Sequence, residues 1–330
     1  MKVIARTVGV LVAIAGLAVL AACGGGAAAS QSGRQGFTLR IGTTSTTGTP
    51  AGNIGWGDRQ GILKDKLAAA GVTEIKYSYF QSGKDIVAAL LSGAVDVAAV
   101  GDNPALTAKG NGADLALLSL DSINGDMFLV GAKGGPTTIS GLAGKTVTAP
   151  QGTQRDRTIR QLVDLAGLTG KVTVSDVDTP NSIAGLKSGK IAATVLDGAT
   201  AAELRRQGFP ILDQVSNHKG LGGVGTNVAL RSFVTAHPGF AKAWQGAITG
   251  INADILDHFE DYVSWVARTD GIDVALEREA TKRNTFNTEP YPKAGLAQLQ
   301  ATLEFLVDDG TIKKPFTVAD WAADSSGDRS

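Results

Sequence analysis

The sequence predicts an α/β protein of two similar lobes, each a mainly parallel sheet flanked by helices, with a helical C-terminal region. Three observations carry this. Mostly apolar strand-length runs alternate with helix-length runs, the pattern of a parallel sheet covered on both faces. The stretch ALLSGAVDVAAVGD at 89–102 has an echo in GLKSGKIAATVLDG at 185–198. In each, a short helix ends in Ser-Gly, an apolar strand follows, and the strand stops at a Gly and an Asp. Beyond Asn227, apolar residues fall mostly at helical spacing.

The elements follow in order. FTLRIG (37–42) alternates and reads as a strand, followed by a hydroxyl- and Gly-rich loop. A helix is expected over 56–70, stopped by Gly71. EIKYSYF (74–80) alternates again as a second strand. Ser82-Gly83 precede a short helix with Ile86, Ala89 and Leu90 on one face, ended by Gly93. A strand over 95–100, a helix starting at Pro104 and a strand over 115–120 complete the first run. The same programme restarts with a strand over 144–150, a helix over 157–168, a strand over 171–177, a short helix NSIAGLKSG, and KIAATVLDGAT as a strand ending in a polar loop. A strand at 228–232 returns to the first lobe. Phe240, Trp244, Ile248, Ile251 and Ile255 form one helical stripe, and Leu296, Leu299, Leu303 and Leu306 another; both read as core-facing.

Composition excludes several classes. Apolar content of 43% and charged content of 19% fit neither a disordered chain nor a multi-pass membrane protein. Lys+Arg and Asp+Glu are 31 each, so no basic surplus points to nucleic acid. One cysteine, Cys23, makes no intrachain disulfide and no Cys-rich metal site. The three histidines lack metal-site spacing, and no glycine pattern matches a phosphate-binding loop. No cofactor and no metal are expected.

The first residues read as an address. Lys2 and Arg6 precede an uncharged apolar run over 8–19, the length of a signal-peptide core and short of the ~20 residues a membrane span needs. Leu20-Ala21-Ala22-Cys23 resembles the bacterial lipoprotein box, in which the thiol is lipidated and the chain cut before it. Residues 1–22 are thus expected to be a signal peptide, and 23–36, GGGAAASQSGRQG after the Cys, a flexible tether. The expected location is the outer face of a membrane, held by lipid on Cys23.

In this order the parts resemble the solute-binding proteins of ABC importers, most of all the nitrate, taurine and aliphatic-sulfonate group. The carrying residues are LRIG at 39–42, SGKDIVAALLSGAVDVAAVGDNPAL at 82–106, GADLALLS at 112–119, GLAGKTVTAPQGT at 141–153 and HPGFAKAW at 237–244. The resemblance implies a two-lobed, type II periplasmic-binding-protein-like fold. Lobe one would be 37–126 plus 227–330 and lobe two 129–222, hinged near 123–130 and 223–230. It implies a monomer that captures a small anionic solute of sulfonate, nitrate or taurine type and delivers it to a permease and its ATPase, without catalysis. A lipid-anchored sensor, or an enzyme on the same fold, is the alternative. The small TVLDGAT segment departs from the bulky or Trp-rich one of many sulfonate-type relatives.

Ligands of open parallel sheets lie beyond the carboxyl ends of the strands. Five loops qualify: 44–49, 101–104, 121–125, 151–155 and 197–200. The candidate ligand-binding residues are Ser45, Thr46 and Thr47; Gly101, Asp102 and Asn103; Asn124; Gly152, Thr153, Gln154 and Arg155; and Asp197. Asp102 either lines the cleft or caps the following helix. A helix starting near Thr153 offers unpaired N–H groups to an anion, with Arg155 or Arg157 adding a fork of donors.

Overall fold

The computed structural model describes residues 36–45 and 48–326. Cys23, the leader and the tether up to residue 35, and the loop residues Thr46 and Thr47, lie outside the described residues.

Strands and helices alternate as β1 (Phe37–Thr44), α1 (Gly52–Arg59), α2 (Ile62–Ala68), β2 (Val72–Phe80), α3 (Gly83–Leu91), β3 (Val97–Gly101), α4 (Asp102–Gly110) and β4 (Leu115–Gly125). There follow β5 (Phe128–Gly131), β6 (Thr146–Ala149), α5 (Gln154–Leu165), β7 (Thr173–Asp176), α6 (Thr179–Lys187), β8 (Ala193–Leu196), α7 (Gly198–Arg206) and β9 (Ile211–Gln214). The chain closes with β10 (Gly223–Leu230), α8 (Arg231–Ala236), α9 (Phe240–Asp257), α10 (Phe259–Asp270), α11 (Val274–Ala280), α12 (Lys293–Asp308) and α13 (Val318–Ser326).

Two five-stranded sheets result, ordered β2-β1-β3-β10-β4 and β7-β6-β8-β5-β9. Both are mixed. β1 runs parallel to β2 and β3, whereas β10 lies antiparallel to β3 and β4. In the second sheet β6 pairs in parallel with β7 and β8, and β5 is antiparallel to β8 and β9. The antiparallel strands are those at the crossings: β5 enters the second sheet straight after β4, and β10 returns to the first. A strand that enters directly from a neighbouring sheet needs no helical crossover, so nothing forces it parallel.

Local chemistry sets the element ends. The Ser82 hydroxyl caps α3 by accepting from the Asp85 N–H, and the Asp178 carboxylate caps α6 by accepting from the Asn181 N–H. The single helix expected over 56–70 is two, broken at Gly61, whose φ of 75° suits a residue without a Cβ. Helix α4 begins at Asp102, not at Pro104, which sits inside its first turn where a missing N–H costs no hydrogen bond. The segment after β8, read from sequence as a polar loop, forms α7; its alanines pack on the second sheet.

Both faces of each sheet are covered. The α9 stripe, Phe240, Trp244, Ile248, Ile251 and Ile255, is fully buried against α1, α2 and the first sheet, each side chain worth roughly 1.5–3 kcal/mol of burial. Leu299, Leu303 and Leu306 of α12 pack with Ile86 and Leu90 on the opposite face. In the second sheet Ile159, Leu162 and Val163 of α5 cover one face, and Leu186, Ala201 and Leu204 the other. Among the described residues no helix is long and apolar enough to cross a membrane.

Candidate ligand-binding site

The strand ends β3 and β6 each turn directly into a helix, α4 and α5, and these two helix N-termini meet. The turn after β6 is built by Gly152 (φ 72°) and Thr153, whose hydroxyl donates to the Pro150 carbonyl at 2.6 Å and accepts from the Asp156 N–H at 3.4 Å. Asp156 reaches back to accept the Gly152 N–H at 2.9 Å, a reciprocal cap. The Gly152 amide is therefore already used. The N–H groups of Gln154 and Arg155, in the first turn of α5, have no acceptor among the described residues.

Asp102 does not cap α4; Gly101 occupies the cap position and Asp102 is the first helical residue. Its carboxylate is the counter-ion of Arg157. The pair is 2.8 Å apart and completely buried, with side-chain exposures of 0% and 1%. Asp102 also accepts from the Thr302 hydroxyl at 3.2 Å, the Val224 N–H at 3.3 Å and the Asn103 N–H at 2.8 Å. Arg157 further donates to the Asn103 side-chain oxygen at 3.0 Å, to Gln161 at 3.1 Å and to the Leu221 carbonyl at 3.4 Å. Asn103 completes the ring by donating to the Thr153 carbonyl at 3.1 Å. The network joins α4, in the first sheet's layer, to α5, in the second's.

Arg155, two residues earlier in the helix, points elsewhere. Its Nη2 donates to Asp197 at 3.2 Å, and Asp197 also caps α7 by accepting from the Thr200 N–H at 3.0 Å. The Nε of Arg155 and the side-chain amide nitrogen of Gln154 are buried without an acceptor among the described residues. A buried donor without a partner costs about 1–3 kcal/mol, so an acceptor that reached either nitrogen would stabilise the structure. A Cβ built on Gly101 would meet nothing within 4 Å, so the backbone at the end of β3 borders open space.

The surroundings are acidic as well as cationic. Burial pushes the Glu277 carboxyl up from its ordinary value, and the neighbouring Asp270 and Asp197 carboxylates push it further. Asp270 is raised by partial burial and by Asp197. Asp121, at the end of the core of β4, is raised by burial, although the Ser122 hydroxyl and the Asn227 amide donate to it. Burial, with the Glu277, Asp121 and Asp270 carboxylates, raises the Tyr262 phenol. The described His, Asp and Glu side chains form no group of three able to hold a metal.

The candidates thus fall into sets. Gly101, Asp102 and Asn103 meet Thr153 through the Arg157 network. Gly152, Gln154 and Arg155 form the adjoining turn, with Asp197 beside Arg155. Ser45 lies just beyond β1. Asn124 stands apart as a joint: at φ 55° it is the non-glycine residue with positive φ among those described. Its N–H and side-chain oxygen are engaged by Gln298 and its side-chain amide donates to the Asn284 carbonyl at 2.8 Å. Sequence reasoning missed Gln161, Thr302, Asp270, Glu277 and Tyr262. The last four lie in the C-terminal helices, where no local motif tied them to the Arg157 network or to Asp197.

The NMT1/THI5-like family model matches residues 74–219. No curated protein matches the chain by sequence. Among solved structures, the alkanesulfonate-binding protein SsuA of Xanthomonas axonopodis pv. citri bound to MOPS is 19% identical with a TM-score of 0.71, covering 87% of this chain and 98% of that one. The periplasmic aliphatic sulphonate-binding protein SsuA of Escherichia coli is 17% identical with a TM-score of 0.70, covering 86% and 96%. The desulfurization enzyme DSZB is 16% identical with a TM-score of 0.66, covering 87% and 96%. The chain has the periplasmic-binding-protein-like fold of these structures, and the family match agrees with the solute-binding resemblance read from its sequence.

Proposed function

We propose that the protein is an extracytoplasmic solute-binding protein of an ABC importer. It takes a small organic anion, of sulfonate type, between two lobes centred on the two sheets. Residues 37–126 with 227–330 form one lobe and 129–222 the other. The observation that carries the reading is the pair of buried donors without acceptors, Gln154 and Arg155 Nε, on the first turn of α5, where the helix dipole adds to them. A helix N-terminus contributes only about 0.3–2 kcal/mol, while micromolar binding needs about 8 kcal/mol, so these donors must act together with groups from the first lobe. Asp197, paired with Arg155 and close enough to Asp270 and Glu277 to raise both carboxyls, favours a solute that also carries an N–H or O–H donor. The relatives described as sulfonate-binding support the class. Lipid on Cys23 holds the protein at the membrane, and a permease with its ATPase receives the solute.

A thermal-shift screen across alkanesulfonates, amino-sulfonates, nitrate, carboxylates and neutral isosteres tests this, since a ligand bound only by the folded state raises the melting temperature. A neutral best ligand overturns the anion reading. The fold likeness to a desulfurization enzyme supports a second reading, catalysis on the same frame. Product release from the best ligand, followed by mass spectrometry over hours, separates the two: an unchanged ligand favours transport.

A further inference from the structure

We propose that the chain carries a second ligand site, adjoining the first but not lined by Asp102, Arg155 or Arg157, for an organic anion with an apolar body. A cavity of about 690 Å³ opens where β4 hands over to β5. Of the candidate residues above only Asn124 lines it, and that side chain is already engaged by Gln298 and Asn284. The volume lies within the roughly 300–1,000 Å³ usual for small-molecule sites.

The lining divides by chemistry. Phe128, Ile211 and Val215 of the second sheet's layer supply an apolar floor, and Ala201 and Ala202 of α7 keep it wide. The charged groups are Arg205, Lys219 and Lys282 against Asp126 and Glu279, with His218 beside them. Arg205 is ion-paired with Glu279, His218 lies 2.9 Å from Asp213, and Asp126 accepts the Ser216 N–H at 3.0 Å. The Lys282 ammonium donates to the Glu279 carbonyl at 2.6 Å. Neither Lys219 nor Lys282 has a carboxylate within ion-pair distance among the described residues. Two cations without counter-ions beside an apolar floor fit a ligand with one acidic head and a flat or aliphatic body. Electrostatic attraction holds the head, and burial of apolar area supplies the rest.

The test uses 1-naphthalenesulfonate, with the neutral 1-naphthalenesulfonamide as control, titrated calorimetrically into the full chain. The background is Arg155→Ala, which removes one of the two first-site donors; the cavity variants below, none of them a residue of that site, then assign the remaining binding to this cavity whether or not the solute reading holds. The sulfonate is expected to bind this background and the sulfonamide at least about tenfold more weakly. Lys219→Glu with Lys282→Glu, both exposed positions that leave the fold intact, is expected to weaken the sulfonate by about tenfold or more. Ala202→Trp, which fills the floor, is expected to abolish binding. Absence of binding at about 1 mM probe (the millimolar limit of weak association), equal binding of the sulfonamide, or binding untouched by the double charge reversal overturns the proposal.

Discussion

Replacing Arg157 with alanine removes the one cation that faces Asp102 in the buried network. The Asp102 carboxylate, 0% exposed, then keeps only the Thr302 hydroxyl at 3.2 Å and the N–H groups of Val224 at 3.3 Å and Asn103 at 2.8 Å. The side-chain oxygens of Asn103 and Gln161 and the Leu221 carbonyl each lose a donor as well. Breaking a fully buried pair by removing one partner costs about 3–5 kcal/mol, because the remaining charge has no compensation. The expected loss for Arg157→Ala is therefore about 3–5 kcal/mol in urea denaturation, and Asp102→Ala should cost a similar amount. The double variant Asp102→Leu with Arg157→Met removes both charges and keeps volume, and should recover most of the loss, since an apolar replacement of a buried pair is often neutral. The difference between the double variant and the sum of the singles measures the coupling. A loss below about 1 kcal/mol for Arg157→Ala, the scale of an exposed pair, or strict additivity across the cycle, refutes the reasoning.

Four further expectations follow from the same geometry. Arg155→Ala should raise the Kd of the best anionic ligand about tenfold, the 1.4 kcal/mol that one charge-assisted donor supplies; calorimetry reads it, and an unchanged Kd removes Arg155 from the site. Glu277, raised above its ordinary 4.5 by burial, Asp270 and Asp197, retains its proton in the folded state to higher pH than in the unfolded chain. Its contribution to stability is full below about pH 4.5 and falls as pH rises through the folded value, so Glu277→Gln should be more stable than the parent at pH 7 and flatten that slope; a parallel pair of stability–pH curves contradicts this. Saturating ligand should lower the radius of gyration in small-angle scattering if the lobes hinge at 123–130 and 223–230, with Arg157→Ala enlarging the free form; identical values in all states count against a hinge. Cys23→Ser should abolish incorporation of a labelled fatty acid, and label retained on the variant overturns the anchor.

The repeated Ser-Gly step at 92–93 and 188–189 made the two-sheet plan legible because each lies where a short helix must stop before an apolar strand begins. The antiparallel entry of β5 and β10 was not legible: hydrophobic runs report burial, not direction. Helix α7 was hidden because GATAAELRR carries small residues and a weak apolar stripe, yet those alanines are what allow close packing on the sheet. The site divides in the same way. Loops at strand ends and the helix start at Thr153 follow from general rules of α/β sheets. Arg155 and Arg157, two positions apart, project from different sides of a helix, so one and not both can serve the proposed site. Which one is decided by Asp102, about fifty residues away in sequence; no local pattern records that partnership. Asp102 read as a cap or a cleft residue because both roles follow from position alone, whereas its role as counter-ion is tertiary.

The most direct test of the anion reading is a crystal structure of the protein with the strongest ligand from the thermal-shift screen. Acidic oxygens of that ligand are expected within about 3 Å of the Gln154 side-chain amide and of Arg155 Nε, beyond the ends of β3, β6 and β8, with Arg157 still paired to Asp102. A ligand seated away from the start of α5, or one that presents no acceptor to those two donors, contradicts the account.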